Sequence, residues 1–276
     1  MPSKIVIIGG SGLLGSHLKE FLSSEGYEII SLHHNKLPPV LPDNAIIINL
    51  AGAGIAKSFW TKSYKKKILD SRIKTSEKIV KALSPKTRLF ISASGTGYYG
   101  DQGSEVVTES SPAGIGFLAD VCQKWESANK TRLRHVIVRI APVLTPKGGY
   151  LAPLKATFKI CLGALLGSGE QWQSWIHHVD LSRAFLHIIN TPYLSGPVIL
   201  ASPEPVRQKR FAEILAKVLH RWRFIRIPAF IIRLLPGRMG QELFLASCRA
   251  EPQKLTDSGF CFLYPSLKQA LKSLCN

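Results

Sequence analysis

Short apolar runs alternate with amphipathic stretches along the first two hundred residues. Lys4–Ile8, Glu28–Leu32, Ala45–Leu50, Arg88–Ser92 and His135–Ile140 are blocks too short for stable helices, and they read as strands buried in a sheet. Between them Leu14, Leu18, Phe21 and Leu22 recur at helical spacing, and helical patterns return over Tyr64–Leu83, Phe117–Asn129 and Val179–Asn190, the last followed by a strand at Pro197–Leu200. Parallel strands need long crossovers, so this alternation predicts an α/β fold, a Rossmann-type doubly wound parallel sheet. Pro38, Pro39 and Pro42 lie between the second and third runs, so a loop rather than a helix is expected there.

After Pro142 the alternation gives way to Gly148-Gly149 and the glycine-spaced stretch 163–169, and residues 150–175 read as an insertion facing a ligand. From Arg207 onward, Arg207–Leu219, Ala229–Leu235, Glu242–Ala250 and Ser266–Leu274 carry helical patterns separated by Pro and Gly. The expected organisation is a nucleotide-binding domain over 1–200 and a small, mostly helical lobe on the substrate side over 201–276.

The first strand runs into Gly9-Gly10-Ser11-Gly12-Leu13-Leu14-Gly15, then a helix. Gly9 permits the sharp turn, Gly12 lets a pyrophosphate approach the backbone, and Gly15 lets the helix pack close, which points to a dinucleotide cofactor. An NAD-preferring site usually carries Asp or Glu about 20 residues further on. Here the end of the second strand holds His33, His34, Asn35 and Lys36, so a 2′-phosphate is tolerated or favoured and NADP(H) is expected.

Thirty-six Lys and Arg against eighteen Asp and Glu give a formal net charge of +18, which attracts polyanions in general. The basic residues are dispersed and no recognisable nucleic-acid motif accompanies them, so no specific nucleic-acid partner is expected. Apolar stretches such as Pro228–Leu235 are far short of a span, and the start of the chain leaves no room for a signal peptide, so no membrane partner is expected. The five cysteines (Cys122, Cys161, Cys248, Cys261 and Cys275) are scattered and odd in number, which predicts no disulfide framework, no metal site and a reducing, cytoplasmic setting.

Further segments carry a resemblance: Asn49-Leu50-Ala51-Gly52, Asp70-Ser71-Arg72-Ile73-Lys74-Thr75, Ser92-Ala93-Ser94-Gly95-Thr96-Gly97-Tyr98-Tyr99-Gly100, Gly167-Ser168-Gly169 and Trp175-Ile176-His177-His178-Val179-Asp180-Leu181. Together they resemble the extended short-chain dehydrogenase/reductases, in particular the atypical NAD(P)-dependent epimerase-like subgroup sometimes labelled cell-division-inhibitor-like, nearly end to end. The resemblance implies that Leu50, Ala51 and Gly52 pass the adenosine side, that Arg72 reaches a cofactor phosphate or ribose, and that Val143 lies near the nicotinamide. A surface role for Arg72 is the alternative. Two departures stand out: His34 replaces a frequent Arg, and Ala53 stands near where the subgroup has Glu.

Ordinary members of that superfamily use Tyr and a Lys four residues later as a proton relay. Aligned on Glu126, those positions here hold Leu118 and Cys122, so the relay is absent, while Tyr264 and Lys268 match the spacing by coincidence. Candidate acid or base groups are the hydroxyls after the fourth strand, Ser94 and Tyr98 first. Cys122 reads as an inert buried thiol, and Asp180, in a first helical turn near His177, reads as a structural cap rather than a catalytic group. Two functions stay open: an oxidoreductase or epimerase-like enzyme acting on a small molecule such as a carbonyl compound or sugar nucleotide, or a non-catalytic NADP(H)-binding sensor or scaffold. Oligomeric state is not legible.

Overall fold

The computed structural model describes residues 4–146, 148–159, 163–221 and 224–275. Six parallel strands form the central sheet: β1 (Lys4–Ile8), β2 (Glu28–Leu32), β3 (Ile46–Asn49), β4 (Leu89–Gly95), β5 (His135–Ile140) and β6 (Gly196–Leu200), in the spatial order β6-β5-β4-β3-β1-β2. The chain leaves β1 to form β2 on one side and then crosses back to place β3 on the other. Ligands of open α/β sheets lie beyond the carboxyl ends of the strands at such a reversal.

Side-chain alternation along the strands splits the core between the two faces. Ile5, Ile7, Ile46, Ile48 and Ile91 pack with Leu18 and Leu22 of α1 (Leu13–Ser24) and with Phe185 and Ile188 of α5 (His178–Asn190). Val6, Ile8, Ile47 and Phe90 point the other way, against Ile79 and Ala82 of α2 (Lys62–Ala82). Both faces are covered, which is why these strands read as unbroken apolar runs. The proline-containing stretch from 33 to 45 holds no helix, as expected.

The helix α3 (Phe117–Ala128) follows β4, and α4 (Leu151–Lys159) with a strand at Gly163–Leu166 occupies much of the glycine-spaced region. Cys161 and the rest of 160–162 lie outside the described residues. The later helices are α6 (Gln208–Val218), α7 (Ala229–Arg233), α8 (Gln253–Asp257) and α9 (Leu267–Cys275). The expected helix over Glu242–Ala250 is not formed. Only Gln241–Leu245 makes a single wide helical turn, and Arg249–Ala250 is instead a strand paired with Val106–Val107. Edge pairing outweighs local propensity there.

The C-terminal segment does not pack by itself. Phe224–Ile227 pairs with Gly163–Leu166, and Leu144, Leu151 and Trp175 share one core with Phe211, Leu215, Leu267 and Leu271. Among the described residues no helix is long and apolar enough to cross a membrane.

Candidate functional site

The glycine turn closes the gap between the ends of β1, β2 and β3. Gly9 adopts φ +88°, its N–H donates to the Leu32 carbonyl at 3.3 Å, and the Leu50 N–H donates to the Ile8 carbonyl at 2.9 Å. A Cβ at Gly9 would stand 2.9 Å from Leu50 and Ala51 backbone atoms, and one at Gly15 would stand 2.3 Å from the Gly9 oxygen. Both positions therefore exclude larger residues because backbone meets backbone. At Gly12 a Cβ would meet only the Gly9 oxygen at 3.3 Å, so the space over this residue is open to an incoming group.

α1 begins at Leu13 with no side-chain cap and no acidic residue in its first turn. The unpaired amides and positive dipole end are thus left for an anion, the fit a pyrophosphate requires. Leu13 is exposed, and a Cβ at Gly148 or Gly149 would approach its side chain to 3.5 or 3.3 Å, so the stretch after Val143 borders the turn. Leu14 is turned into the core. Val143 is buried and pairs with Ile176.

The rings of the two histidines at the end of β2 meet at a tilt with centroids 4.2 Å apart, and the Lys36 N–H closes their turn onto the His33 carbonyl at 2.8 Å. After β3, Asn49 receives the Ala51 N–H at 3.1 Å and donates to Ser76 of α2 at 3.3 Å, which fixes the backbone of Leu50, Ala51 and Gly52. Arg72 is buried: its Nη1 donates to the Ala53 and Ile68 carbonyls at 2.9 and 3.1 Å, and its guanidinium lies 4.9 Å from the Trp125 ring centroid. A Cβ at Gly52 would stand 3.1 Å from its Cζ, so Arg72 flanks the same loop from below instead of facing solvent.

The hydroxyl candidates sit at the carboxyl end of β4, Ser94 in its last residues and Tyr98 in the turn after it, on an ionic network. Ser94 Oγ donates to Glu126 Oε1 at 2.6 Å, and Arg139 Nε and Nη2 donate to Glu126 Oε1 and Oε2 at 3.0 and 2.9 Å. Arg139 also donates to the Tyr99 hydroxyl at 2.9 Å, and its guanidinium lies 3.5 Å from the Tyr98 ring centroid. Burial works against the Arg139 charge, but the hydrogen bonds and charge of Glu126 outweigh it and raise the pKa. Burial likewise raises the Tyr99 phenol, which stays protonated. Ser94 is 5% exposed, whereas Tyr98 is half-buried and no described residue hydrogen-bonds its hydroxyl.

Leu118 and Cys122 both face this end of β4. A Cβ at Gly97 would touch Leu118 at 3.2 Å, and the Cys122 thiol points to the Gly95 carbonyl at 3.7 Å. Burial pushes that thiol up to about 11, the state of an inert Cys. The cap of α5 is His177, whose Nδ1 accepts the Val179 N–H at 3.2 Å, and not Asp180. Asp180 instead accepts the Leu263 and Tyr264 N–H groups, each at 2.8 Å, and ties the C-terminal segment to α5. Tyr264 stacks on His177 with centroids 3.8 Å apart.

Sequence reasoning used Glu126 only as an alignment mark and passed over Arg139 and Glu109. A signal was present: Arg139 is the one charged residue inside the apolar run Val136–Ile140. A charge in such a run needs a buried partner. Glu109 is also buried and accepts the Ile199 N–H at 2.9 Å.

Residues 5–199 match the model of the NAD dependent epimerase/dehydratase family, and residues 227–274 match a domain of unknown function, DUF1731. An epimerase family protein of Mycobacterium bovis is 34% identical over 97% of this chain and 96% of its own. The crystal structure of human epimerase family protein SDR39U1 with NADPH superposes with a TM-score of 0.93 at 26% identity, covering 99% of both chains. A nucleoside-diphosphate sugar epimerase of Corynebacterium glutamicum superposes with a TM-score of 0.78 at 30% identity, over 100% of this chain and 59% of that one.

Proposed function

The chain belongs to the NAD dependent epimerase/dehydratase family, and from that premise we propose that it binds NADP(H) in preference to NAD(H). We propose that it acts as an oxidoreductase or epimerase-like enzyme on a small molecule, a carbonyl compound or a sugar nucleotide. The observation that carries the cofactor reading is the end of β2, where His33, His34 and Lys36 stand in place of a ribose-binding carboxylate. The similar human protein crystallised with NADPH supports it.

In this reading Gly9, Gly12, Leu13, Leu14 and Gly15 form the pyrophosphate turn, while His33, His34, Leu50, Ala51, Gly52 and Arg72 surround the adenosine half. Val143 borders the nicotinamide. When bound, the nicotinamide gives or takes the hydride. Proton exchange falls to Tyr98, whose hydroxyl is unengaged by described residues and whose ring rests on the Arg139 guanidinium. Ser94 holds a polarised hydroxyl on the same network, donating its hydrogen bond to Glu126. Residues 1–200 are the cofactor domain, with 150–175 on the ligand side and 201–276 as the substrate-side lobe. A cytoplasmic location follows from the cysteine usage.

One observation favours the second reading, a non-catalytic NADP(H) sensor or scaffold. Ser94 is nearly buried and committed to Glu126, and Leu118 and Cys122 bring no proton relay to β4. Fluorescence titration with NADPH and NADH tests the cofactor assignment, and equal or reversed affinities reject it. Turnover over a panel of carbonyl compounds and sugar nucleotides separates enzyme from sensor.

A further inference from the structure

α2 presents three differently occupied faces at its C-terminal half. Thr75, Ser76 and Ile79 are buried against the sheet, Ile79 in the cluster that also holds Ile30, Leu32 and Leu37. Glu77 lines a groove with Asp120, Gln123 and Lys124 and so faces α3. Lys78 lies about 100° further round the helix, on the side of the β2 end. Helical side chains lean toward the N-terminus of their helix, and α2 runs back from the carboxyl ends of the strands, since Arg72 holds the loop at Ala53 while Ser76 bonds Asn49 of β3. Lys78 thus leans toward the residues that follow β2.

Its charge is felt there. The His34 imidazole is held below its ordinary pKa by burial, by His33 and by Lys78. On the same helix Lys74 is neutralised by Asp70 at 2.9 Å, whereas Lys78 has no carboxylate within 4.0 Å among the described residues. Lys78 and His34 therefore face each other without a carboxylate between them, beside the turn that carries Lys36, an arrangement of repulsion that a phosphate dianion relieves.

We propose that Lys78 of α2 closes a 2′-phosphate clamp with His34 and Lys36 and is the residue that sets the preference for NADP(H) over NAD(H). This rests on the NADP(H) reading given above and adds a group from outside the β2 turn. The clamp is aimed at the 2′-phosphate, because Lys78 lies on the flank of α2 opposite the one that faces α3, and its charge acts on His34 at the end of β2.

The test compares wild type, Lys78→Ala and Lys81→Ala in titrations with NADPH, NADH, 2′,5′-ADP and 5′-AMP. Lys81, exposed one turn further from the strand ends, controls for diffuse charge. In Lys78→Ala, affinity for NADPH and 2′,5′-ADP falls by about tenfold or more, while NADH and 5′-AMP change by no more than about twofold, the scale of a solvent-screened charge. Wild-type preference retained in Lys78→Ala, or an equal loss in Lys81→Ala, overturns the clamp and leaves NADP(H) binding standing. Absence of any NADPH preference in wild type overturns both.

Discussion

Glu242 grips the backbone of Leu118: its Oε2 accepts the Leu118 N–H at 2.8 Å, while Oε1 accepts that of Phe117 at 3.0 Å. A carboxylate from the C-terminal segment thus caps α3, the helix that faces the candidate catalytic hydroxyls. Gly116 makes room for it, with φ +131° and a Cβ position only 3.1 Å from Oε2. We predict that Glu242→Ala destabilises the protein by about 1–3 kcal/mol, the cost of two part-buried amides left without an acceptor. Glu242→Gln keeps one acceptor and should lose less. Urea unfolding midpoints measure both, and an unchanged midpoint in the Ala variant would remove the tether.

Gly12 and Gly15 separate binding from folding. Gly12→Val should abolish NADPH binding and leave most of the fold, because a side chain there meets only the Gly9 oxygen and otherwise fills the space over the turn. Gly15→Val forces a carbon to within 2.3 Å of the same oxygen and should lower stability by several kcal/mol. Circular dichroism melts with NADPH titrations distinguish the two, and retained affinity in Gly12→Val would take the turn out of the site.

If turnover is found, Tyr98→Phe and Ser94→Ala should lower it by about 10²-fold, and Cys122→Ser should cost little beyond packing. The Cys122 thiol, pushed up to about 11 by burial, supplies no thiolate at neutral pH. NADPH affinity is measured in each variant so that lost binding is not read as lost chemistry. Loss of turnover in Cys122→Ser alone would move the chemistry to that thiol.

His177 makes the fold acid-sensitive. Burial first, and His178 second, hold its imidazole down at about 3, and its two ring nitrogens are engaged by Val179 N–H and Ser273 Oγ at 3.2 Å each. The unfolded chain takes up this proton near pH 6.5, so its stabilising share is complete above that value and declines as pH falls toward about 3. The decline is up to about 1.4 kcal/mol per pH unit for one such group. Burial holds His135 at about 4, which adds a second group with the same sign. His177→Asn keeps a capping side chain and removes the titration, so unfolding free energies between pH 7 and pH 4 should fall less steeply than in wild type. An unaltered slope would show that His177 does not titrate in this window.

The sequence by itself determined the sheet and the glycine turn, because both are written in local spacing. β1 runs into Gly9, Gly12 and Gly15 at three-residue intervals ahead of a helical pattern, whereas the lack of a Tyr and Lys pair at Leu118 and Cys122 is implied by the family resemblance aligned on Glu126. Glu242–Ala250 misled because helical propensity is local while strand pairing with Val106–Val107 is not. Only the tertiary structure could decide which distant charges meet. Arg139 finds Glu126 across the β4 end, and Glu242 finds the amides of α3. Each of these pairs joins residues from different elements, so its energy depends on how helices are laid over the sheet, which no periodicity within one element encodes.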